Sequence, residues 1–281
     1  MVARFALLVV VLAAATGCSS PSETVDAAVR KTIQEGSAHV VITGTTTGGD
    51  QSINITGEGD FDYARLQGRA TFDFSELPGT TGAPLGDQGR GELVFDGSTY
   101  YMNLPFLSQL SPQLEGWVKF DTDELSGSTG QLGRLGQNDP SQVLSYLNGA
   151  TEVTESGEED IDGFPTTRYE LTIDYREAKE EAPAKLERAY DTIIEELGVE
   201  RAPGSVWIDD NDFVRRMSYE WTIAHGASAG DGEGETTQNV ELEFSEFGED
   251  ANIELPPADE TVDFNELLEG SHDDGDEVAV R

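Results

Sequence analysis

Cysteine is almost absent: the chain has 281 residues and one cysteine, Cys18. No intrachain disulfide can form, so a packed core and not a covalent framework must hold the fold. Basic residues are scarce as well, 17 Lys and Arg against 55 Asp and Glu, for a formal charge of −38. Phosphate backbones are held by clustered Lys and Arg, so this balance excludes nucleic acid as a partner. No apolar run is long enough to span a bilayer. Phe5–Ala15 falls well short of the ~20 apolar residues that about 30 Å of hydrocarbon demands. The three histidines, His39, His225 and His272, have no spacing to cysteine or carboxylate that makes a zinc site. No nucleophile–base signature is present. Gly-rich stretches such as Gly226–Gly234 lack the lysine and the strand–loop–helix setting of a phosphate loop. The expectation is a protein with no catalytic residues, no metal and no cofactor.

What is present begins at the first residue. Met1-Val-Ala-Arg4, the apolar run and Ala15-Thr16-Gly17-Cys18 have the length and flanks of a secretory signal. Small residues directly before a cysteine resemble the lipobox of bacterial lipoproteins, with Ala15 where leucine is commoner. That resemblance implies removal of residues 1–17 and lipidation of Cys18. Acyl chains contributing about 0.8 kcal/mol per buried CH₂ would hold the protein at the outer face of the cell membrane. An ordinary secretory signal with a chance cysteine is the competing reading. Acidic residues are interleaved with apolar ones over most of the chain, as in a folded protein with a solvated exterior. A cationic partner or calcium for that surface is the alternative. Residues 18–269 read as one domain and residues 270–281 as an acidic tail.

Ser20-Pro-Ser-Glu23 is a capping box that opens a helix, with Val25, Ala28, Val29 and Ile33 on one stripe and Gly36 as its stop. The spacer from Cys18 is so short that the folded part must sit close to the bilayer. From Ala38 the period becomes two, through Val40 and Ile42, Ile53 and Ile55, Phe61 and Tyr63, then Leu66, Ala70, Phe72 and Phe74. Asp96-Gly97 is a hairpin turn between Leu93-Val-Phe95 and Tyr100–Leu104, and Trp117–Phe120 is a further strand. A second helix is expected after Asp139-Pro140, carried by Val143, Leu144 and Leu147. A third is expected over Pro183–Leu197. Between them lies a strand with Tyr169, Leu171, Ile173 and Tyr175 inward. Asp209–Asp212 has the oxygen-rich look of a calcium loop but lacks the spacing to a bidentate Glu, and reads better as a turn into Phe213–Ile223. Val240, Leu242 and Phe244 close the set.

About eleven alternating strands against three helices make an α+β protein with a curved antiparallel sheet, one face apolar and one wet. The helices are too few to cover the apolar face. Leaving roughly 500 Å² of it wet would forgo about 12 kcal/mol, comparable with the whole stability of a domain. Helices, a partner or an apolar ligand must cover it. A fully packed core without a cavity remains the competing reading.

Several local texts resemble the LppX/LprA/LprF/LprG group of actinobacterial lipoproteins. They are Phe95-Asp-Gly-Ser-Thr-Tyr-Tyr101, Gly116-Trp-Val-Lys-Phe120, Asp139-Pro-Ser-Gln-Val-Leu144, Asp162-Gly-Phe-Pro-Thr-Thr-Arg-Tyr169 and Val206-Trp-Ile-Asp-Asp210. The resemblance implies a LolA-like half-barrel with helices across its concave side, and a lipid or glycolipid ligand held in a hydrophobic cavity for transfer or presentation in the envelope. Ile53, Ile55, Phe72, Leu171 and Ile193 are the candidate lining. Phe74, Phe95, Tyr219 and Trp221 are core or cavity wall. The competing function is a sensory or scaffolding lipoprotein that binds an envelope protein through its acidic surface.

Overall fold

The computed structural model describes residues 20–49, 51–78, 82–109, 111, 114–121, 140–183, 186–224 and 235–264. Cys18, the 1–17 leader, His225, His272, the Gly226–Gly234 stretch and the 270–281 tail lie outside the described residues.

The first helix, α1 (Pro21–Gln34), starts where its cap predicts. The Ser20 amide donates to the Glu23 carboxylate at 2.8 Å, and the Glu23 amide donates back to Ser20 Oγ at 3.3 Å. Val25, Ala28 and Val29 are buried, and Gly36, at φ 92°, turns the chain into the sheet. Thr32 is also buried on this face, where its hydroxyl donates to the Ala28 carbonyl and accepts from the Val214 amide at 3.0 Å. That bond pins the end of α1 to the sheet.

Among the described residues twelve strands form one sheet. The first meander is β1 (Ser37–Gly48), β2 (Gln51–Asp62), β3 (Gln67–Asp73), β4 (Arg90–Asp96), β5 (Thr99–Asn103) and β6 (Trp117–Asp121). The second is β7 (Ala150–Ile161), β8 (Phe164–Asp174), β9 (Arg201–Asp209), β10 (Val214–Ala224) and β11 (Glu235–Ser245). The order β12-β6-β5-β4-β3-β2-β1-β11-β10-β9-β8-β7 joins the meanders through the β1–β11 pair and leaves the sheet curved and unclosed. All pairs are antiparallel except β12 (Thr261–Asp263), which runs parallel to β6. This twelfth strand is one more than the eleven or so expected. Most of β7 is exposed and acidic on both faces, because it is an edge strand, so its sequence shows no alternation beyond its first residues.

Three further expectations are corrected. Tyr175 is not a strand residue but the first residue of helix α3 (Tyr175–Glu181), after α2 (Pro140–Ser145). Asp174 caps α3 by accepting from the Arg176 and Glu177 amides at 3.0 and 3.3 Å. The expected helix over Pro183–Leu197 is interrupted. Among the described residues of that stretch only α4 (Glu187–Asp191) is α-helical, and Thr192–Glu196 winds into one π turn that places Ile193 in the core. Leu66, expected in a strand, sits in the β2–β3 turn at φ 57°.

Because β6 and β7 belong to different halves of the sheet, the intervening chain must cross it. The described part of that crossing, α2 and the single 3₁₀ turn Tyr146–Gly149, lies on the inner face, where Val143, Leu144, Tyr146 and Leu147 are buried. α1, α3 and α4 join it over the β7–β10 half. Beneath them Tyr146 meets Tyr175, Tyr190 and Tyr219 edge to face, at 5.3, 5.6 and 6.0 Å between centroids. Two of the phenols are tied in here: Trp221 Nε1 donates to Tyr175 Oη at 2.6 Å, and Ser145 Oγ bonds Tyr190 Oη at 2.9 Å. Burial pushes the Tyr175 and Tyr219 phenols well above their usual range, and pushes Tyr190 to about 12.

Candidate functional site: an apolar cavity on the thinly covered half

Among the described residues the other half of the sheet is covered more thinly, and there the inner face hollows into a cavity of about 280 Å³. Its wall is built strand by strand from the inward positions. These are Ile42 and Gly44 of β1, Ile55 and Phe61 of β2, Phe72 of β3 with Phe74 just after it, and Leu93 and Phe95 of β4. Tyr100 and Met102 of β5, Leu104 after it, Tyr219 of β10 and Val240 and Leu242 of β11 complete the sheet side. Val143 of α2 reaches it from the helical cover.

Inward glycines shape this hollow. At Gly68 a Cβ would lie 2.2 Å from the Phe95 ring, and at Gly57 one would lie 2.6 Å from the Phe72 ring. Neither position tolerates a side chain, so the neighbouring rings lie across the strands instead of standing up from them. Phe61 of β2 and Phe95 of β4 thereby meet over Gly68 of the β3 between them, and Tyr100 of β5 and Phe120 of β6 continue the ring ladder, with centroids 6.0, 5.5 and 5.6 Å apart in turn. Gly44 differs. A Cβ there would meet only the Ile55 carbonyl oxygen at 3.9 Å, so its missing side chain leaves open cavity floor.

The cavity has a closed end and a looser one. Phe61, Phe95, Tyr100 and Met102 are buried, whereas Gly44, Ile55, Phe72, Phe74 and Val240, toward the β1–β2 hairpin, are half-buried. The last turn of helix α1 is held at the β9–β10 turn through Thr32 and Val214, and Asp26, earlier in the helix, lies close enough to Glu181 at the end of α3 to feel its charge. Burial raises the Asp26 carboxyl, Arg30 pulls it down, and Glu181 and Glu23 push it up again.

Of the five candidate lining residues, Ile55 and Phe72 stand in the wall. Ile53 shares their face but lies beyond the wall, toward the hairpin; Leu171 and Ile193 are buried under the helices of the other half. The rings of Phe74, Phe95 and Tyr219 are wall, while Trp221 and Tyr175 are core. Sequence reasoning did not single out Gly44, Met102 or Gln238. The inward parity of β1, β5 and β11 was the available signal.

Polar side chains are few in the wall: Glu92, which pairs with Arg69, and Gln238 near the looser end, while the Tyr219 hydroxyl is sealed within the protein. Among the described residues no three His, Cys, Asp or Glu side chains cluster closely enough to hold a metal ion. The Asp209–Asp212 segment is a turn. Asp209 Oδ1 accepts from the Asn211 and Phe213 amides at 2.9 and 3.0 Å, and Oδ2 pairs with buried Arg215 at 2.7 Å, so its oxygens are committed within the protein.

No protein-family model matches the chain. It is 24% identical over 246 residues to an uncharacterized 31.2 kDa protein encoded between rplA and rplJ in Streptomyces griseus, covering 79% of this chain and 77% of that one. It is 25% identical over 248 residues to a putative lipoprotein of Streptomyces coelicolor, covering 85% and 73%. Among solved structures it is similar to the lipoprotein LppX of Mycobacterium tuberculosis, at 18% identity and a TM-score of 0.47, covering 83% of this chain and 98% of that one. The chain is thus similar to lipoproteins of the LppX/LprF type, as its local texts suggest.

Proposed function

We propose that this chain is a lipoprotein, anchored through Cys18 outside the cell membrane, that takes acyl chains into its cavity and transfers or presents them in the envelope. The observation that carries this reading is the apolar hollow of about 280 Å³ on the half of the sheet with little helical cover. It lies at the lower edge of the ~300–1,000 Å³ common for small-molecule sites, a size suited to a single chain. The wall is aromatic and aliphatic, which favours hydrocarbon over water at about 25 cal/mol per Å² buried. The lipoprotein relative supports the anchor.

Native mass spectrometry of the chain from residue 19 onward, purified from its own host, tests the proposal together with uptake of a fluorescent acyl probe. Co-purified lipid and saturable probe uptake are expected. A protein that carries no lipid and takes up no probe would overturn it.

A further inference from the structure

The inward positions of the sheet fall into rungs of register partners, and successive rungs stand two residues apart, about 6.6 Å. Met102, only 2% exposed, shares a rung with Leu93, Ala70, Gly59 and Val40. One rung deeper lies the ladder of Phe61, Phe95, Tyr100 and Phe120, whose buried rings shut that end of the cavity. In the other direction the rungs pass through Ile42, then through Gly44 with Val240. The next pairs Thr46 with Gln238. These are the first polar side chains on the inward parity of β1 and β11, and both are half-buried. The hollow is therefore blind and apolar at one end and polar at the rim of the other.

We infer that the hollow measures a single acyl chain: about ten carbons enter methyl end first as far as Met102, and the polar head stops at the rung of Thr46 and Gln238. The inference rests on the lipid-binding reading and names the size class of the ligand. Two magnitudes agree on the length. From Val40 on the Met102 rung to Gly44 is four residues of strand, a depth of about 13 Å. An extended backbone advances at most ~3.5 Å over its three bonds, so a hydrocarbon zigzag advances about 1.2 Å per carbon and spans that depth with about eleven. The volume of about 280 Å³ holds on the order of nine, if each methylene claims close to the ~30 Å³ that a water occupies in the liquid. A second chain beside the first would need twice that space. Orientation follows from the walls. At the deep end Leu93, Phe95 and Met102 offer a head group no partner, so it would lose its water uncompensated. Met102 is the stop, an unbranched side chain whose size sets where the methyl end rests.

Octyl, decyl, dodecyl and tetradecyl maltoside test the length, because the disaccharide head is too large to follow the chain inside. Each is titrated below its micelle-forming concentration into the full-length protein held in a bulky sterol-type detergent, with displacement of dansyl-labelled undecanoate as readout. Partition of each maltoside into the detergent is measured without protein and subtracted. Two added methylenes that both enter the cavity should tighten binding about fifteenfold, and two that stay in water should add little. The wild type is expected to gain about fifteenfold from octyl to decyl and less than about threefold from dodecyl to tetradecyl. Met102→Ala, which deepens the hollow, should gain about tenfold over that last step. Met102→Phe, which keeps the site filled, should move the break the other way and lose most of the gain from octyl to decyl. A wild-type affinity that climbs by the full factor through tetradecyl would overturn the inference and leave lipid binding intact. So would a break at the same length in wild type and in whichever Met102 variant folds. Failure of every maltoside to displace the probe would overturn the lipid-binding reading along with it.

Discussion

Single glycines carry much of the meaning of this sheet. Gly57 and Gly68 are occupied from outside by the rings of Phe72 and Phe95, so a side chain there would collide. Gly44 has room above it and lies in the cavity floor. Gly44→Leu should therefore project a branched side chain into the hollow without disturbing the backbone. Leucine is also the better strand residue, so stability should hold or rise slightly. The expected outcome is at least a tenfold loss of acyl-probe uptake with a melting temperature within a few degrees of the parent. Uptake titration and thermal unfolding on the same preparation check both halves. A Gly68→Leu control should fail differently, by lowering the melting temperature.

At the scale of elements, the two halves of the sheet use aromatic residues for different ends. Under the helices, Tyr146, Tyr175, Tyr190 and Tyr219 form an edge-to-face cluster in which burial raises the phenol pKa of Tyr175, Tyr190 and Tyr219. The sign of the linkage is definite. A folded-state pKa above the unfolded value of about 10 means that the folded protein keeps protons the unfolded chain would release. The cluster's contribution is then present below about pH 10 and lost as pH rises toward 12. Tyr190, at about 12, accounts for roughly 2–3 kcal/mol of that loss by itself. Urea unfolding at pH 8, 10 and 11 should give a falling midpoint, with absorbance of ionised tyrosine appearing together with unfolding and not before it. Tyr190→Phe should flatten the fall. Much of this was legible in the sequence. The capping box at Ser20 and the alternation in β8 and β10 specify their elements outright. Helix α3 was hidden because Tyr175 continues the parity of β8, although Asp174 and Glu177 together are a helix-start signal. The broken helix after Pro183 and the edge strand β7 were hidden because tertiary contacts, not local periodicity, set their form.

The whole molecule is a strongly acidic shell around an apolar sheet. Its formal charge of −38 opposes compactness through repulsion among exposed carboxylates, and few ion pairs offset it. Salt at about 0.15 M already screens charges beyond ~8 Å, so stability should depend on ionic strength. Raising sodium chloride from about 0.02 M to 0.5 M should raise the melting temperature by several degrees. Acyl-probe affinity should change little, because the cavity wall is apolar. Thermal scans and probe titrations across that series check the two expectations separately.

The sequence by itself determined the absence of a disulfide framework, the acidic exterior, the one-sided strands and the shortage of helices to cover them. These follow from composition and period, which are local properties of the chain. Which half of the sheet the helices cover was decided only in three dimensions. β6 and β7 fall in different halves, and the chain between them brings α2 and its tyrosine across the inner face. That placement is why Leu171 and Ile193 became core while Ile55 and Phe72 became wall. Residues with the same parity and the same chemistry part company according to what is packed on top of them, and no local pattern records that.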